Sequence, residues 1–181
     1  MIFSILFTIS CHSEKKSSTD SRYDNIKLEK EPSRESKYLR WVDDIEFDPV
    51  VDDDGFKVCQ GDDQIIQYFN NSQGVEYEGE KPAIDKAFQE NYDASKAAKE
   101  SGLIRIRFIV NCEGETGRFR VLSMDEAYNE KPFDASITQQ LLEITKRLKG
   151  WKPKVYRGRK VDYYQYLIFK IQNGEIVKIL P

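Results

Sequence analysis

Ile104-Arg105-Ile106-Arg107-Phe108-Ile109-Val110-Asn111-Cys112 decides the fold. Ile104, Ile106, Phe108, Val110 and Cys112 fall on one side, and Arg105, Arg107 and Asn111 on the other. That period of two belongs to a strand with a core face, and it puts Cys112 on that face. Gly114 and Gly117 then frame a hairpin connection, and Phe119 to Met124 returns as a second strand. Upstream, residues 81–93 predict a helix with Pro82 in its first turn and Ile84, Ala87, Phe88 and Tyr92 on one face. Downstream, Asp134 can cap a second helix running to about Lys149. Its stripe is Ile137, Leu141, Ile144 and Leu148, and Gly150 is its expected stop. A third strand is expected over Val161 to Ile171 and a last short one over Glu175 to Leu180. The class is α+β: two helices packed on a small antiparallel sheet of three to four strands. An irregular β-containing segment precedes it, with short strands expected at 56–59 and 64–69.

The 181 residues hold 28 Lys and Arg against 31 Asp and Glu, so the formal charge is 28 − 31 = −3. With 39% hydrophobic residues the chain can form a core, and no apolar stretch reaches the 18 residues of a membrane helix. A mildly acidic chain is not expected to be a dedicated nucleic-acid binder. Neither a P-loop nor a GxGxxG motif is present, and no cofactor is expected.

Residues 1–10, MIFSILFTIS, are almost wholly apolar and suit the core of an export signal. No Lys or Arg precedes the run, which a start placed slightly too far downstream would explain. The run ends Thr8-Ile9-Ser10-Cys11, which resembles a bacterial lipobox, with Thr8 where Leu is preferred. The resemblance implies cleavage before Cys11 and a lipid on its sulfur. Residues 11–38 then read as a polar tether, since they hold too few bulky apolar groups to offset ordering entropy. Such a chain reaches about 30 Å, enough to hold a domain clear of lipid headgroups. With Cys11 lipidated, two thiols remain. In an oxidising compartment a Cys59–Cys112 disulfide is expected. The alternative is two buried free thiols. The single histidine, His12, then lies beside the anchor, so no His-based triad or metal site is expected in the folded part.

The order of elements over 75–181 resembles the C-terminal domain of TonB-type proteins, in the version common among Bacteroidetes. Glu80-Lys81-Pro82-Ala83-Ile84 opens the first helix, and Gly102 precedes the Arg-Ile-Arg-Phe-Ile-Val strand. Phe133-Asp134 opens the second helix, and Trp151-Lys152-Pro153 follows it, with Gly158 and a Tyr-rich strand after. The usual Tyr-Pro pair after the first helix is Tyr92-Asp93 here. An energy-transducing TonB has a membrane anchor helix and a Pro-rich spacer, and neither is visible in this sequence. The resemblance therefore implies the fold and peptide binding, not energy coupling. Residues 39–74 lie outside it as an acidic irregular segment.

Four places are candidates for function. The resemblance implies that an exposed sheet edge pairs with an extended peptide. Tyr163, Tyr164 and Tyr166 would then present aromatic surface on the strand used. The second candidate is residues 146–160, KRLKGWKPKVYRGRK, which carry cations and no acid. Lys149, Lys152, Lys154, Arg157 and Arg159 there could hold an anionic glycan or lipid headgroup. Third, any two acids of the chain could converge as a catalytic pair, and a weak hydrolase using carboxylates around 43–63 is the version considered. Asp52-Asp53-Asp54-Gly55 lies among them but fails the EF-hand spacing, with Val50 at loop position 1 and Gly61 at 12. The last is Cys11, through which a membrane would hold the chain. The overall expectation is a non-catalytic, lipid-anchored outer-membrane protein that binds an envelope protein or extended peptide.

Overall fold

The computed structural model describes residues 44–67 and 75–180. Cys11, the apolar start and the tether lie outside the described residues. Helix α1 spans Glu80–Asn91 and helix α2 spans Ala135–Arg147. The strands are β1 (Gly102–Val110), β2 (Thr116–Met124), β3 (Lys154–Tyr156), β4 (Arg159–Val161), β5 (Tyr163–Gln172) and β6 (Glu175–Leu180). Four of them form an antiparallel sheet in the order β2-β1-β5-β6, and β3 and β4 form a separate hairpin. The mixed α+β class is as expected.

Both helices pack on one face of the sheet. Ile104, Ile106, Phe108 and Val110 of β1 are fully buried there, with Ile84 and Phe88 of α1 and Ile137, Leu141 and Ile144 of α2. Phe88 meets Phe169 of β5 at 4.8 Å between ring centres. Burying such a side chain contributes roughly 1.5–3 kcal/mol, so these residues fix which face is inward. The Asp134 carboxylate accepts from the Ser136 N–H at 2.8 Å and starts α2 as its spacing implied. The helix ends two residues earlier than expected, because Leu148 is already extended. Gly150 is not its stop. A Cβ there would come within 2.9 Å of the Tyr77 ring, so glycine admits the close approach of that ring.

The opposite face of the sheet is also covered. Arg105, Arg107 and Ile109 are buried as well, although they alternate with the core set. Residues from 44–67 lie against this face, where Ile45 and Ile65 join Ile109 and Tyr164 in a second cluster with Phe56 and Val58. The strand expected at 56–59 is absent, because these residues are irregular and lead into the disulfide. The one expected at 64–69 is reduced to a 3-10 turn, Asp62–Gln64, and a single parallel bridge between Ile66 and Tyr163. Residues 68 and 69 lie outside the described residues.

The third expected strand is broken. Val161 closes the β3–β4 hairpin, Asp162 turns inward, and β5 begins at Tyr163.

Candidate functional site

The edge expected at 161–171 lies elsewhere. β5 is an interior strand, with β1 on one side from Tyr163 to Ile171 and β6 on the other from Ile168 onward. Ahead of β6, Ile66 closes that side: the Ile66 N–H donates to the Asp162 carbonyl at 3.0 Å, and the Tyr164 N–H to the Ile66 carbonyl at 2.9 Å. Tyr163 and Tyr164 are 0% and 1% exposed, so they present no aromatic surface. Tyr163 packs in the main core, and its hydroxyl donates to the Lys152 carbonyl at 3.0 Å. Tyr164 lies under the Arg107 guanidinium, 4.4 Å from its ring centre, and burial pushes its phenol up. Tyr166, half-buried, carries Arg105 at 4.7 Å. The sequence placed these tyrosines on one strand. It did not show that β1 arginines stack on them.

The edges of the sheet are β2, whose outer side carries the Met124–Glu130 bridge, and β6. β6 is the last strand of the sheet, and among the described residues no strand pairs with its outer side. Along it runs a groove of about 440 Å³ between β6 and α1. Lys81, Asp85 and Gln89 line its helix side, Val177 and Lys178 its strand side, and Phe88, Ile176 and Ile179 supply apolar wall. Tyr92 closes one end; its hydroxyl donates to the Gly174 carbonyl at 2.7 Å and ties the end of α1 to the β5–β6 turn. Lys81 and Asp85 pair with each other, which leaves the groove with no uncompensated charge from α1's first turns. The register of β6 slips between Lys170 and Ile171, and Lys178 stands on the strand. A bulge and an edge lysine both blunt an edge against indiscriminate strand pairing. The sequence signal for this edge was slight: a short final strand with a lysine in it.

The basic segment divides in two. Lys149 and Lys152 are exposed at the base, beside buried Trp151, while Lys154 is nearly enclosed and lies 3.7 Å from Glu76. Arg157, Arg159 and Lys160 are exposed on the β3–β4 hairpin.

Cys59 and Cys112 are joined by a disulfide, with Cα atoms 6.0 Å apart. Asp162, fully buried, sits beside it and was not singled out from sequence. Its carboxylate accepts from the N–H groups of Cys59 at 2.8 Å, Gln60 at 3.1 Å and Cys112 at 2.8 Å. One side chain therefore holds both half-cystines by their backbones. The sulfurs are bonded to each other and the carboxylate is engaged, so the trio acts as a clasp.

Among the described residues, the acids of 44–63 do not gather into one cluster. Asp52 forms a two-pronged pair with Arg120 at 2.7 Å on each prong, and Asp62 pairs with Arg118 at 2.9 Å. The Arg120 hydrogen bonds hold the Asp52 carboxyl below the usual carboxylate range. Asp48 and Asp53 turn back onto backbone N–H groups of Val50 and Gly55. These are structural tasks. Among the described residues no helix is long and apolar enough to cross a membrane. Comparison with family models, with curated proteins and with solved structures finds no match for this chain.

Proposed function

We propose that this chain is a non-catalytic, lipid-anchored envelope protein that binds an extended peptide segment of another envelope protein. The segment adds as a further strand outside β6 and sends alternate side chains into the groove along α1. The single observation that carries this reading is the coincidence of an open strand edge with a groove on the same side of the strand. Backbone pairing supplies affinity that any sequence can give, and the groove supplies selection for side chains at every second position. The apolar wall favours a peptide with apolar residues at every second position, and Glu175 and Lys178 add one charge of each sign on the strand side.

Other supports come from the chain. Its TonB-like order of elements links peptide capture to outer-membrane transport. The lipobox-like Cys11 and the disulfide both suit an exported protein, and an outer-membrane anchor through Cys11 is the corresponding location.

The test is peptide selection from a random library on the full chain, followed by NMR mapping. Bound peptide should shift the amides of β6 and protect them from exchange. Methylating every second peptide N–H should weaken binding at least tenfold, because each removes one ladder bond. Gln89→Trp, which fills the groove from an exposed helix position, should do the same while leaving the far-ultraviolet spectrum unchanged. Peptides that shift β2 instead of β6, or that tolerate methylation at every position, overturn the reading.

A further inference from the structure

The β3–β4 hairpin carries an arrangement that the core does not need. Arg157 and Gly158 form its two-residue turn, both with positive φ (50° and 77°), the pattern that joins tight hairpins. A Cβ on Gly158 would meet nothing within 4 Å, so the tip stands clear of the rest of the chain. The base is firmly seated. Trp151 is buried edge-on against Tyr77 and Phe108, and the Gln60 side-chain amide donates to the Lys160 carbonyl at 3.1 Å.

What the arm shows to solvent is mixed in a particular way. Val155 is 63% and Tyr156 50% exposed, among the most exposed large apolar side chains of the described residues. Arg157, Arg159 and Lys160 are exposed beside them, and none lies within ion-pair distance of a described acid. Arg157 instead stacks on Tyr156 at 5.2 Å. Val155 stands opposite Lys160 and Tyr156 opposite Arg159. Neighbouring positions on a strand point to opposite faces, so each face of the arm carries one apolar and one basic side chain.

We infer that this arm inserts into the headgroup layer of an anionic lipid membrane. A flat protein surface or a phosphate ribbon touches one face of a hairpin and would leave the other apolar side chain in water. A fluid headgroup layer surrounds the tip. It receives Val155 on one side and Tyr156 on the other, while the cations reach phosphates above them. Lys149 and Lys152 at the base add to the same field. This surface is separate from the β6 edge, and the inference stands without the peptide reading.

The experiment is sedimentation of the full chain with vesicles of phosphatidylcholine alone and of phosphatidylcholine mixed with phosphatidylglycerol. The apolar start of the chain contributes to both, so the readout is the ratio of the two partition coefficients. An Arg157→Gln/Arg159→Gln/Lys160→Gln variant should lower that ratio roughly 100-fold, from about fivefold per cation near the surface. A Val155→Ser/Tyr156→Ser variant should lower binding to both vesicle types and make what remains collapse with added salt. All five positions are exposed, so the fold should survive, as the near-ultraviolet spectrum will report. Equal partitioning of the parent onto both vesicles overturns the inference, as does an unchanged ratio in the triple variant. Binding to heparin without binding to anionic vesicles also overturns it and assigns the arm to a soluble polyanion.

Discussion

Replacing both half-cystines, as Cys59→Ala/Cys112→Ala, should cost about 4 kcal/mol while leaving the folded structure almost untouched. The bridge spans a sequence separation of 53. Closing a loop of that size removes about 14 cal/mol/K from the unfolded chain, which is about 4 kcal/mol at 25 °C in the chain-entropy model. The folded side should change little. Cys59 is exposed and Cys112 half-buried, so alanine removes little packing. Asp162 still holds the amides of both positions, each at 2.8 Å. The effect therefore acts through the unfolded ensemble. Denaturant unfolding should show the loss, and the melting temperature should fall by roughly 10–15 °C for a chain of this size. The Cys59→Ala single variant should lose as much as the double one, since either breaks the loop. Amide exchange in β1 and β5 should keep its native pattern under conditions where the variant is folded. A loss below about 1 kcal/mol would refute the reasoning. So would a β1 that loses protection in the folded variant, because the bridge would then be acting on the native state.

Two further outcomes follow from named contacts. Asp52→Asn removes the charged pair with Arg120 and should cost about 1.5–3 kcal/mol at pH 7. Because the Asp52 carboxyl is held below its ordinary value, its contribution is present above about pH 4 and fades as pH falls through the lowered folded value. The gap between parent and variant in urea midpoints should therefore shrink on acidification, and a gap constant to pH 2 would show that charge is not its source. Gly117→Ala puts a Cβ 2.2 Å from the Phe56 ring and should cost about 1–3 kcal/mol. Adding Phe56→Ala should then cost less than it does in the parent, and simple additivity would rule out the clash.

The sequence by itself determined the two helices and the strands β1, β2 and β6, but not the β3–β4 hairpin or the irregular course of 56–67. The period of two in 104–110 is imposed by a strand with a core face, and the stripe Ile137, Leu141, Ile144, Leu148 by a helix lying on a sheet. Both patterns sit within a few residues and need no knowledge of what packs opposite. The Asp134 cap is local for the same reason, whereas the Cys59–Cys112 pair was expected only for an oxidising compartment, with two free thiols as the alternative. Only the tertiary structure decided the order of the strands. An interior strand and an edge strand share the same alternation, so nothing local marked β5 as enclosed and β6 as open. Burial of Arg105 and Arg107 was equally hidden, because it depends on residues 44–67 crossing the second face of the sheet and on tyrosines some 60 positions away in sequence, at 164 and 166. Asp162 shows the limit most plainly. In sequence it interrupts a run of strand residues, and in the fold it binds amides about 50 and 100 positions distant. A carboxylate's hydrogen bonds to distant backbone leave no period in the chain, whereas burial does.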